Sequence, residues 1–273
     1  MKKLLMLLLC VLLLTGCGRG QEDALPTAEE EPQSKTVYVH SSITRTQNGS
    51  TGKTEYIYNE ENLLTDVIIS DEAGQELQRY LVTCDENGNP VNWDTSVGDT
   101  VSSLIYTYDD RGHTLGTYAY TGETLTTSTE YTWSGDLRIR VTVRVPAQNY
   151  EQRTEYTYDD KNVLQRQDLY VGGNLSGYTL YTSDTQGRPT LGENYSPDGA
   201  VTGTIAYTYH TNTEKRITTA ADGSITQVQD LTYDLQGNLL SSHIYDGSGN
   251  LQFAEVHIWH PIEVPAEVPR AGV

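Results

Sequence analysis

The hydrophobic and polar positions of this chain recur in one short pattern. Tyr56-Ile57-Tyr58, Tyr106-Thr107-Tyr108, Tyr156-Thr157-Tyr158 and Tyr207-Thr208-Tyr209 are copies of it, and looser copies open at Val82, Tyr131, Tyr181, Leu231 and His257. Their opening residues lie 24 to 26 positions apart from Tyr56 to His257, a regularity that marks a repeat architecture. The middle residue of every triplet is Thr or Ile, β-branched and suited to an extended backbone. Side chains alternate along a strand, so the two outer positions of a triplet share the opposite face. Thirteen of those 18 outer positions are aromatic, which gives each copy a strand with one aromatic face and one Thr/Ile face.

Turn chemistry follows each strand. Asp85, Asp109, Asp159, Asp184 and Asp234 stand directly after their triplets, with Asn59 and Ser134 as substitutes. Such side chains bond the backbone two residues on and start a turn. Three residues later come Asn62, Gly88, Gly112, Asn162, Gly187 and Gly237, which tolerate the positive φ of a hairpin loop with a bulge. A second run follows, as at 63–69, 164–171 and 239–245, and ends at a second glycine turn such as Gly74, Gly172 or Gly247. The expected fold is therefore all-β: antiparallel hairpin repeats of about 25 residues forming a twisted, curled or spiral sheet of roughly 16 to 18 strands. Hydrophobic residues make up 36% of the chain, with twenty tyrosines and one Phe, which is too little aliphatic material for a two-layer sandwich.

The unit Tyr-x-Tyr-Asp-x-x-Gly-[Asn/Arg]-[Leu/Pro] resembles the YD repeat of the RHS family. The best matches are YTYDDRGHTL at 106–115 and LTYDLQGNLL at 231–240, with YTSDTQGRPT at 181–190 a looser one. The resemblance covers about residues 37–260 and implies consecutive antiparallel hairpins in a long strip that spirals. RHS proteins use many more repeats to build a shell around a C-terminal toxin. This chain is too short to enclose a protein, only 14 residues follow Trp259, and no aspartate-centred junction motif is present. Encapsulation is not carried over.

Both ends read differently from the repeats. Lys2 and Lys3 precede an apolar run from Leu4 to Leu14, shorter than a bilayer span and typical of an export signal. The run ends Leu14-Thr15-Gly16-Cys17, which resembles the lipobox of bacterial lipoproteins. That resemblance implies cleavage before Cys17 and a diacylglyceryl group on its sulfur, with two acyl chains as a stable anchor. Residues 1–16 are then a signal peptide and 17–35 a lipidated Cys17 with a disordered acidic tether. Residues 36–260 form the β-repeat domain and 261–273 a Pro-rich extended tail, because proline lacks the donor a central strand needs. The predicted location is the extracytoplasmic face of the cell membrane, lipid-anchored. With Cys10 in the signal and Cys17 acylated, Cys84 has no partner for an intramolecular disulfide.

Charge narrows the partners. A net charge of −19 leaves no basic patch for nucleic acid or anionic lipid. No nucleophile elbow, HExxH helix, Walker loop or paired CxxC is present, so we expect no enzyme activity and no cofactor. His257 and His260 flank Trp259, but three-residue spacing puts them on opposite faces of a strand, and no metal site is expected. The acidic turns at Asp85 and Asp246 lack the bidentate Glu of a calcium loop, with Ser96 and His257 at that position. Two readings remain for the aromatic columns. They are a cross-strand packing ladder, or Tyr106, Tyr108, Tyr131, Trp133, Tyr156 and Tyr158 form a row on which sugar rings stack. The function expected is a non-enzymatic, membrane-anchored surface lipoprotein acting as a structural or interaction module. The alternatives are a glycan- or cell-wall-binding protein, or an accessory protein of an envelope or secretion assembly.

Overall fold

A computed structural model describes residues 34–97 and 99–265. The signal, Cys17, most of the tether and residues 266–273 lie outside them. Eighteen strands follow one another: β1 (Ser34–Gln47), β2 (Ser50–Tyr58), β3 (Leu64–Asp71), β4 (Glu76–Cys84), β5 (Pro90–Val97) and β6 (Thr100–Tyr108). Next come β7 (Thr114–Thr121), β8 (Thr124–Ser134), β9 (Leu137–Val145), β10 (Tyr150–Tyr158), β11 (Leu164–Val171) and β12 (Asn174–Ser183). The last six are β13 (Pro189–Tyr195), β14 (Val201–Tyr209), β15 (Thr213–Ala220), β16 (Ile225–Tyr233), β17 (Leu239–Asp246) and β18 (Leu251–Pro265). A single 3₁₀ turn, Pro146–Gln148, interrupts them among the described residues.

Every triplet lies on an even-numbered strand, at or within one residue of its end in all but β18, and each strand pairs antiparallel with its neighbours in sequence. The expected open strip does not form. β1 also pairs with β18 over thirteen positions, from Ser34↔Pro265 to Gln47↔Phe253, and this ladder closes the sheet into a barrel. The cause lies in how the described strands are phased: β1 precedes the first triplet, and β18 carries the last one. Each edge is the complement of the other, and pairing them removes the two rows of unmatched N–H and C=O groups that a strip would expose.

The C-terminal boundary also moves. Residues 261–265, expected in the tail, are strand, with Pro261 opposite Tyr38. Beyond Val256, β18 has lost β17 and pairs only with β1, so a proline can turn its donorless side to the unpaired edge. Turn residues behave as their chemistry dictates. Asn62, Gly88, Gly112, Asn162, Gly187 and Gly237 all have positive φ. At the turn after β17, Gly249 rather than Gly247 takes positive φ, while a Cβ at Gly247 would sit 2.0 Å from the Ile225 carbonyl.

Eighteen strands at about 4.8 Å give a circumference of roughly 85 Å. The triplet face is the concave one: Tyr106 on β6 feels the charge of Tyr56 on β2, Tyr80 on β4 and Tyr131 on β8. Burial is densest at the seam, where Ile43, Ile262, Val264 and the polar His40 and Ser42 are buried. There the ends of β1 and β18 form a ribbon whose Val39, Ile262 and Val264 cluster with Val37 and the inward Tyr58.

Candidate functional site

The inner face is built by one device repeated around the barrel. In eight of the nine copies the register slips opposite the last triplet residue, leaving a β-bulge at the start of the next strand. A bulge strands a backbone group that the ladder would otherwise match. The aromatic donor of the following copy meets that group. Tyr58 Oη donates to the His40 carbonyl (3.0 Å), Tyr108 Oη to Pro90 (2.7 Å) and Tyr158 Oη to Arg138 (2.9 Å). Trp133 Nε1 donates to Thr114 (2.9 Å) and Trp259 Nε1 to Leu239 (2.7 Å). Cys84 occupies the same column, and its thiol donates to the Leu64 carbonyl at 3.5 Å.

The six aromatic residues singled out in the sequence therefore do come together, as half-buried rings on the concave side. Tyr106 lies parallel to Tyr108 with centroids 6.4 Å apart and meets Trp93 at 5.6 Å. Trp133 stacks on His113 at 4.5 Å, and the Arg138 guanidinium lies 5.3 Å from the Tyr156 centroid. Burial pushes the Tyr106, Tyr108 and Tyr131 phenols above their ordinary range. Tyr108, Trp133 and Tyr158 have their polar atoms engaged by the main chain, so this row serves the architecture directly.

A second cluster escaped the sequence reading. His40, 1% exposed, shares a 3.1 Å hydrogen bond between its Nε2 and Nδ1 of His257 at the seam and stacks on Trp259. His257 stands in a tyrosine column, the one signal that it faces inward; its companion His260 is exposed on the outer face. Burial pushes the Glu255 carboxyl up, but hydrogen bonds from His257 and Arg45 outweigh it and hold the group below its usual range. Two histidines bound to each other at a closing seam are a packing element, and among the described residues no group of three His, Cys, Asp or Glu converges as metal ligands. The acidic turns are likewise filled. Asp85 Oδ1 accepts from the Asn87 and Asn89 amides, and Asp246 from Ser248 and Asn250.

The outer wall mixes exposed apolar residues, Ile57, Leu81, Ile105, Leu180, Val256 and Ile258 among them, with ion pairs. Outward positions hold Arg140 with Glu155 (2.8 Å), Arg144 with Glu151 (2.9 Å), Arg166 with Asp168 (2.6 Å) and Arg79 with Asp66 (3.1 Å). A barrel embedded in lipid needs an outward apolar band about 25 Å tall, which charged pairs at these positions interrupt.

No family of known proteins matches the chain, and no curated protein does. Among solved structures, TcdB2-TccC3-TEV is similar at 14% identity over 80% of this chain and 15% of that chain, with a TM-score of 0.35. TcdB2-TccC3 without its hypervariable C-terminal region is similar at 13% identity over 83% and 18%, with a TM-score of 0.33. A porin-like protein from Bacteroides vulgatus is similar at 10% identity over 83% of this chain and 100% of that chain, with a TM-score of 0.35. The chain thus spans under a fifth of the TcdB2-TccC3 chains. Likeness at these identities and scores carries no inference about activity or placement.

Proposed function

We propose that this chain is a non-enzymatic surface lipoprotein: a YD-like repeat barrel, tethered by lipid on Cys17 at the extracytoplasmic face of the membrane, that works as a structural or interaction module. The observation that carries this reading is the polarity of the barrel. Aromatic donors are engaged inward, and ion pairs such as Arg140 with Glu155 and Arg144 with Glu151 interrupt the apolar residues of the outer wall, which favours attachment through a separate anchor. The Leu-Thr-Gly-Cys sequence at 14–17 supplies one, and the following residues, rich in Glu, Pro and Gly, suit a tether. Metabolic labelling with a palmitate analogue tests it. The parent chain should label and sediment with membranes, and Cys17→Ala should lose both properties. A Cys17→Ala protein that still sediments as an integral membrane protein would mean that the barrel itself enters the bilayer, and the reading would fail.

A further inference from the structure

One copy of the repeat departs from the rest, and its departures meet at one place on the rim. Tyr209 is followed by His210-Thr211-Asn212, with no aspartate, in a tight turn closed by the His210 amide donating to the Thr213 carbonyl at 2.9 Å. The β14–β15 ladder runs through Tyr209↔Glu214 with no register shift, whereas all eight other copies carry a bulge there. Without a bulge carbonyl to meet, Tyr233 Oη in the next copy donates to the Glu214 carboxylate at 3.3 Å. The Tyr209 ring lies 4.4 Å under the Arg188 guanidinium, and its hydroxyl has no hydrogen-bond partner among the described residues.

The short turn leaves a notch between the longer turns at 184–188 and 234–238. It opens as a cleft of about 500 Å³ lined by Arg188, Tyr209, Asn212, Glu214, Tyr233 and Leu235, within the range of small-ligand sites. Leu235 is 84% exposed at its lip. Three charged groups line it: Arg188 pairs with Asp184 at 2.7 Å and Glu214 with Arg216 at 2.5 Å, while Asp234 accepts from the Gln236 and Asn238 backbone amides and the Asn238 side chain. What the cleft offers a ligand is two paired charges, the Asp234 carboxylate held by amides, the Tyr209 hydroxyl, the Asn212 amide, aromatic rings and one aliphatic lip. That set does not suit an anion. It suits a ring with apolar C–H faces and hydroxyl edges.

We propose that this rim cleft binds a neutral saccharide ring. The proposal deepens the carbohydrate alternative raised from the aromatic columns, moving it from the inner row to the rim, and it is independent of lipid attachment. The full chain, solubilised in detergent, is applied to an array of neutral and acidic oligosaccharides, and ligands retained are titrated by calorimetry. Neutral saccharides should bind, and Asn212→Ala and Tyr209→Phe should each weaken binding about tenfold, the weight of one hydrogen bond, at unchanged Tm. Replacing residues 210–212 by the turn at 234–238 fills the notch and should abolish binding while the barrel stays folded. Retention of acidic saccharides alone, no retention by the parent chain, or binding that survives the turn exchange would each overturn the assignment. Labelling of Cys17 is scored separately, so failure of the anchor and failure of this site are distinguishable.

Discussion

Raising the pH tests whether the tyrosine face is packed or open. Burial pushes the phenols of Tyr58, Tyr106, Tyr108 and Tyr181 well above their ordinary value, with neighbouring tyrosines adding to the effect at Tyr58, Tyr106 and Tyr181. An unfolded chain releases these protons near pH 10, while the folded barrel holds them. Stability is therefore complete below pH 10 and falls as pH rises toward the folded values, because the native state then binds more protons than the unfolded one. Each such phenol contributes a slope of at most about 1.4 kcal/mol per pH unit, and four give roughly 5 kcal/mol per unit. Against a total stability of about 5–15 kcal/mol, these four alone suffice to unfold the barrel within about three units above pH 10, and the raised phenol of Tyr209 brings the loss nearer.

Tyrosinate absorbance and far-ultraviolet circular dichroism, followed together on the full chain, make the measurement. The two signals should change in one steep step, with several phenols ionising as the strands melt. Tyr106→Phe keeps the ring and removes one ionisable group, so it should raise the midpoint and make the fall with pH less steep. Smooth ionisation of most of the twenty tyrosines near pH 10 with the strand signal intact would refute the packed face. The rings would then be open to solvent, and the inner row would be available for stacking after all.

Three further outcomes are expected. Hydrogen bonds hold the Asp184, Asp246 and Glu255 carboxyls below their usual range, so their stabilisation is present above the ordinary carboxyl values and should fade as pH falls through the lowered ones, read as a declining Tm in acid. Cys84 should titrate as the single thiol of the denatured, acylated chain without reductant, and a count of zero would show that it had been modified. Deleting 156–180 removes two strands and keeps the antiparallel closure, whereas deleting β11 alone leaves an odd number and forces the seam to pair parallel; equal loss of Tm in both would contradict closure through β1 and β18.

Strand number, turn positions and the inward aromatic face were legible because each is a local property repeated nine times. Alternation assigns the face, and Asp or Gly at fixed offsets assigns the turn. Closure was not legible, since the pairing that makes it, Ser34↔Pro265 through Gln47↔Phe253, joins residues more than 200 positions apart. Neither partner belongs fully to the repeat columns. β1 stands before the first triplet, and residues 260–265 of β18 follow the last one under a proline signal that ordinarily argues against a strand. Pro261 is tolerated only because that stretch of β18 has a single neighbour, a fact that exists only after the barrel has closed.

The rim cleft was hidden for a different reason. A periodic sequence draws attention to what its copies share, and here the shared features are structural: the bulge, the aromatic donor that meets it, and the aspartate that starts the turn. Tyr209 looks like a perfect member of its column, and the Tyr-Thr-Tyr at 207–209 is identical to those at 106–108 and 156–158. Only the residues after it differ, and His210-Thr211-Asn212 reads as a weak turn rather than as a site. Its consequence needs the neighbouring copies, because the notch is defined by turns at 184–188 and 234–238 and by a carbonyl that no bulge presents to Tyr233. In a repeat barrel the same rule that fixes the wall therefore locates the exception: a copy in which ring, bulge and turn cease to agree leaves polar atoms uncommitted, and uncommitted atoms beside a cavity are what a ligand can use.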